Sequence, residues 1–171
     1  MKNKLLLAIL SLGLMLGFTA CEKNNYDSYP PTWKGFNVNP SKVKAGEKFV
    51  VTAVQDEKGH LLNATDYQWY FVAQKGDKKD TLAQYKKHTN YDGLSNADPF
   101  VEFTVPFGAT PTGSGVRYKV YFQAFYSYSG QGGTVASGDN YTSQTYSGAI
   151  HTTSGGLSGK AEGNVEVTVL P

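Results

Sequence analysis

The sequence predicts an all-β protein, a single β-sandwich with one extra hairpin, and three observations carry that expectation. Beyond residue 33 the apolar residues alternate in short runs and form no stripe at helical spacing longer than two turns. The runs are rich in Val, Tyr, Phe and Thr, which suit a pleated, half-buried surface. Between the runs lie Gly, Pro, Asp and Asn, the residues that punctuate strands.

Taken in order, Gly35 to Asn39 is a short first strand stopped by Pro40. Glu47 to Gln55 alternates, with Phe49, Val51 and Ala53 on one face, and Asp56-Glu57-Lys58-Gly59 is a turn. Tyr67 to Ala73 puts Tyr67, Trp69, Phe71 and Ala73 on one side. Lys75 to Lys87 holds five lysines and two aspartates and reads as a solvated loop and edge strand, where lysines discourage edge-to-edge pairing. Thr81 to Lys87 fits a strand or one helical turn equally. Pro99 to Pro106 aligns Val101, Phe103 and Val105; Val116 to Ser127 is the longest run; Asn164 to Leu170 closes the chain with Val165, Val167 and Val169 aligned.

Residues 127–163 break the pattern, holding nine of the 19 glycines together with much Ser and Thr. A structureless loop of that length is uncommon inside a compact domain. An extra hairpin is therefore expected before the last strand, over Thr142 to Thr152, with Tyr146 and Ile150 on one face.

The N-terminus is of another kind. Lys2 and Lys4 precede an apolar run from Leu5 to Phe18, followed by Thr19-Ala20-Cys21. Charge, length and small residues are those of a secretory signal, and the run is shorter than the roughly 20 residues of a membrane span. Thr19-Ala20-Cys21 resembles the lipobox of bacterial lipoproteins, with Phe18 where Leu is usual. The resemblance implies cleavage before Cys21, diacylglycerol on its sulfur and usually acylation of its new amine. Each buried methylene contributes about 0.8 kcal/mol, so two or more chains anchor stably. Residues 1–20 are then the signal peptide, 21–33 a lipidated tether stiffened by Pro30-Pro31, and 34–171 the domain, with 127–163 as its insertion.

Cys21 is the only cysteine, so the domain is expected to rely on its core without disulfides. Setting aside Lys2 and Lys4 leaves 14 of the 16 basic residues against 14 acidic ones. That balance gives no footprint for nucleic acid.

Tyr67-Gln68-Trp69-Tyr70-Phe71 resembles the Y-x-W-x-F strand of PKD and related immunoglobulin-like domains. Tyr118 to Ala124 resembles the Y-x-V-x-V-x-A strand shared by PKD and fibronectin type III domains, and Pro40 to Glu47 resembles their P-x-x-v-x-x-G-e lead-in to the second strand. The likeness covers roughly residues 34–128 and 164–170 and implies an immunoglobulin-like sandwich, with the tryptophan central and the tyrosine bracing a corner. Asp80-Thr81-Leu82 resembles the D-(S/T)-aliphatic acceptor of O-glycosylation in Bacteroidetes, which makes Thr81 a modification candidate. Together with the lipobox, these features resemble an outer-membrane lipoprotein of that group, facing either outward or into the periplasm.

Chemistry is sparse. His60, His88 and His151 share no metal-ligand spacing, no nucleophile elbow or phosphate loop occurs, and the aspartates do not form a calcium loop. No cofactor is expected. The sequence reads as a non-catalytic binding or adhesion module, held to a membrane by its lipid and contacting a glycan or an envelope protein. Tyr offers a flat apolar ring with a polar tip. Tyr126, Tyr128, Tyr141 and Tyr146 are the ligand-binding candidates, expected to be partly exposed. An accessory subunit of an envelope or uptake complex and a loop-sited hydrolase are the alternatives left open by sequence.

Overall fold

The computed structural model describes residues 28–90, 98–128, 147–155 and 158–171. These residues form nine strands and no helix: β1 (Trp33–Asn39), β2 (Lys42–Val43), β3 (Lys48–Gln55), β4 (Leu62–Lys75), β5 (Lys78–Asn90), β6 (Phe100–Thr104), β7 (Val116–Tyr128), β8 (Ile150–Gly155) and β9 (Ser158–Val169). One sheet runs β1-β3-β6 and the other β2-β9-β7-β4-β5, with β8 also paired to β9.

The sheets pack face to face because alternate residues of each strand point inward. Phe49, Val51 and Ala53 of β3 meet Tyr67, Trp69 and Phe71 of β4 and Val120, Phe122 and Ala124 of β7 in one buried cluster. Trp69 is its centre. Its ring lies 4.4 Å from Phe122 and 6.5 Å from Phe36, so strands of both sheets converge on it. Phe71 joins the second half of the core, 5.1 Å from Phe49 and 5.7 Å from Phe103.

One side of the sandwich is closed. The chain leaves the first sheet at the cis Asn39-Pro40 bond and enters the second as β2, parallel to β9, where Val43 pairs with Val169. Trp33 on β1 donates its indole N–H to Thr152 Oγ1 on β8 at 3.1 Å, linking the sheets again on that side. Behind the end of the core, Tyr118 donates its hydroxyl to the Thr110 carbonyl at 2.8 Å. Thr112 accepts from Val169 N–H through Oγ1 and donates its own N–H to the Val169 carbonyl, so the loop before β7 is tied to the last strand.

Most expected strands are present with moved bounds. Lys78–Asn90 is a full strand rather than a helical turn, because all of it but Leu82, at the register shift opposite Phe71/Val72, pairs with β4, and it forms the sheet edge among the described residues, as its lysines suggest. β4 starts at Leu62, five residues before its alternation begins, because Ala64 to Asp66 are paired on both sides, by β5 and by β7. The last strand starts at Ser158 rather than Asn164: β8 pairs with its first half, Ile150 opposite Gly163 and Gly155 opposite Ser158. The hairpin among the described residues is thus Ile150–Gly155 with the start of β9, later than the one expected over Thr142 to Thr152, of which residues 142–146 lie outside the described residues, as does all of 129–146.

The proline-rich end of the expected tether is also pinned. Tyr29 forms a bridge with His60, and Thr32 exchanges backbone bonds with Asp56 and Glu57. The first strand accordingly begins at Trp33.

Candidate functional site

The closed side leaves an open one. β5 is the edge of the larger sheet and β6 an edge of the smaller, and between them lies a cleft of about 530 Å³. That volume falls within the roughly 300–1,000 Å³ range of small-molecule sites.

Strand register explains its lining. Tyr85 stands opposite Trp69 and Lys87 opposite Tyr67 in the β4–β5 pair. Directly opposed residues share a face, so Tyr85 and Lys87 point to the same side as the core residues Trp69 and Tyr67. The core ends beneath them, and β5 overhangs it. The other wall is held by β3: Gln55 donates its N–H to Asp98 Oδ1 at 2.9 Å, and Ala53 donates its N–H to the Pro99 carbonyl at 2.9 Å. Phe100 follows directly and leaves 65% of its surface in water; Tyr85 leaves 44%. Two large exposed rings thus stand on the rims of one cleft over a buried tryptophan.

The polar groups are few and distinct. Lys87 makes no ion pair among the described residues. Asp98 spends Oδ1 on Gln55, and Oδ2 has no hydrogen bond among the described residues. Burial pushes the Tyr67 phenol well above its ordinary value, and the nearby Asp98 charge pushes it further, so Tyr67 is a neutral hydroxyl in water at any ordinary pH. Thr89 adds a hydroxyl-bearing residue to the same lining.

His88 and Asn90 also border the cleft: Asp66 Oδ1 on β4 lies 2.7 Å from His88 Nδ1, and His88 Nε2 lies 2.8 Å from Asn90 Oδ1. The Asp66 bond raises the His88 pKa, with Asn90 adding to it. Both ring nitrogens are engaged, which leaves His88 no free nitrogen to take a proton from a nucleophile. Among the described residues no group of three His, Cys, Asp or Glu is placed to hold a metal ion.

The tyrosines singled out by sequence fare differently. Tyr126 was expected to be partly exposed, and this is corrected: it is 0% exposed, because its ring belongs to the core face of β7 beside Ala124 and Ala161. It does border a smaller hollow of about 250 Å³ with Phe125, Thr153 and Lys160, where the Lys160 ammonium lies 5.8 Å from the Phe125 ring centre. Tyr128 ends β7 opposite Leu62. Tyr141, Tyr146 and Cys21 lie outside the described residues. Thr81 is exposed on the edge strand β5, opposite Val72. His60 lies with its ring 5.5 Å from that of Tyr29, and His151 is exposed on β8 opposite Glu162.

Sequence reasoning passed over Tyr85, Lys87, Asp98 and Phe100. The available signal was the alternation Ala83, Tyr85, Lys87, Thr89 within a stretch read only for its charge. Nothing local to Asp98 or Phe100 marks them, since their role comes from pairing with β3, more than 40 residues upstream. No family model matches the chain, and no curated protein or solved structure shows significant similarity to it.

Proposed function

We propose that this chain is a lipid-anchored, non-catalytic binding module of the bacterial outer membrane whose immunoglobulin-like sandwich takes a glycan at its open edge. The observation that carries the proposal is the pair of exposed rings, Tyr85 and Phe100, on the rims of one cleft with Trp69 beneath. An exposed aromatic ring loses little when free and gains contact area when a sugar's C–H face covers it. Monomeric proteins seldom present two such rings over one hollow without a partner for them.

The immunoglobulin-like part of the proposal draws on the Tyr118–Thr110 bond, which has the form of a tyrosine corner, and on the central Trp69. It draws also on the split of β1-β3-β6 against β9-β7-β4-β5. The anchoring part draws on Lys2, Lys4, the apolar run and Thr19-Ala20-Cys21. The absence of a catalytic role is inferred from chemistry: His88, the histidine nearest the cleft, has both nitrogens occupied.

A second reading, an accessory subunit in an envelope assembly, is favoured by one observation. Among the described residues no strand pairs with the outer edge of the 13-residue β5, and such edges accept strands from other chains. Its lysines work against that use, so the glycan reading stands first.

The test is a glycan array probed with the full chain in detergent, beside Tyr85→Ala and Phe100→Ala. Binding to a subset of glycans, lost in both variants, is the expected outcome. Binding unchanged by both substitutions, or to no glycan at all, contradicts the proposal.

A further inference from the structure

We infer that the ligand of this cleft is a neutral pyranoside held by a vicinal diol, with the Lys87 ammonium and the Asp98 carboxylate each serving both hydroxyls. The inference rests on the glycan reading above and adds which sugars it selects.

The argument starts from what the two charged side chains can do. A lysine ammonium offers three donors and accepts nothing; a carboxylate accepts and donates nothing. Among the described residues Lys87 has no ion-pair partner and Asp98 Oδ2 has no hydrogen bond. A ligand that satisfies both must present donors and acceptors side by side. A hydroxyl is both at once, so two adjacent hydroxyls can accept from Lys87 and donate to Asp98 with no charge on the ligand. Hydrogen bonds to ionised groups are the stronger kind.

Charge then separates neutral from acidic sugars. Among the described residues that line the cleft, Lys87 and Asp98 supply one ammonium and one carboxylate, with His88 beside them. A uronic acid gains attraction at Lys87 and meets repulsion and desolvation at Asp98. His88 borders the cleft as well, but its imidazole is held by Asp66 Oδ1 at 2.7 Å, so a proton on it is paired with that carboxylate, and Asn90 Oδ1 takes its other nitrogen. A neutral sugar loses nothing at either end. The hydrogen-bonding groups next to these two are the Tyr67 and Thr89 hydroxyls, also uncharged. The rings of Tyr85 and Phe100 supply the surface for the apolar face of the pyranose.

Isothermal titration of the full chain in detergent, with neutral oligosaccharides bearing vicinal diols and with uronic-acid oligosaccharides of the same length, tests this. Two variants accompany it. Lys87→Met keeps the apolar stem of an exposed side chain and removes the charge. Asp98→Asn keeps an oxygen for Gln55 N–H and removes the paired acceptor. Neutral sugars are expected to bind, and each substitution to weaken them by about tenfold or more, the effect of losing one hydrogen bond to a charged group. Binding confined to uronic acids, weakened by Lys87→Met and improved by Asp98→Asn, overturns the inference while the cleft remains a glycan site. Neutral binding that neither substitution changes also overturns it. Absence of binding by either class removes the glycan reading itself, and the inference with it.

Discussion

Tyr118 donates its hydroxyl to the Thr110 carbonyl at 2.8 Å, eight residues back, and this bond ties the lead-in of β7 onto the strand it feeds. Burial also raises the pKa of that phenol, which keeps the donor protonated. Removing the hydroxyl alone, as Tyr118→Phe, leaves the ring in the core and the carbonyl without this donor. The expected loss is about 1 kcal/mol, read as a lower urea midpoint with an unchanged slope.

Gly163 supports the hairpin by having no side chain. A Cβ there would run into the Ala149 carbonyl oxygen, where the chain leads into β8. Gly163→Ala is therefore expected to displace β8 from β9 and to cost about 1–3 kcal/mol, the range for inserting a methyl group where there is no room. Thermal unfolding gives the cost. Faster amide exchange at Ile150 and Thr152 than in the parent locates it.

His88 predicts a pH dependence with a defined sign. Its folded pKa lies above the ordinary 6.5, chiefly through the Asp66 hydrogen bond. The pair's contribution is thus fully present below pH 6.5 and fades as pH rises through the higher folded value. Both groups are at the surface, so the effect on stability is small. NMR titration is the direct check: the His88 midpoint is expected above 6.5 and is expected to fall in Asp66→Asn.

The anchor has its own test. Cys21→Ser removes the sulfur that would carry diacylglycerol. If the chain is a lipoprotein, expression in a host with the lipoprotein pathway leaves the parent in the detergent phase and moves the variant to the aqueous phase. Equal partitioning would remove the membrane from the account.

The parts of this fold legible in sequence are those whose cause is local. Phe49, Val51 and Ala53, or Val101, Phe103 and Val105, announce their strands because period-two burial is written into neighbouring residues. The lysines of β5 likewise announced an edge. What stayed hidden depends on partners far along the chain. Leu62 to Asp66 have no alternation, and only flanking strands make them a strand. Tyr126, at the end of its run and next to the glycine-rich stretch, is expected from sequence to be partly exposed, but the β7–β9 pairing puts it opposite Gly159 on the core face. The cleft is the extreme case: β5 and β6 follow each other along the chain but belong to different sheets, and what sets them apart is the pairing of β5 with β4 and of β6 with the distant β3.

The central claim is that ligand enters between β5 and β6. It is tested most directly by NMR titration of isotope-labelled full chain with a bound oligosaccharide. The account predicts shifts at the backbone amides of Lys87, Thr89, Asp98 and Phe100 and at the Trp69 indole, absent in Tyr85→Ala at unchanged stability. Shifts confined to Thr153, Ser158 and Lys160 beside the β8–β9 hairpin, with the cleft silent, would contradict it.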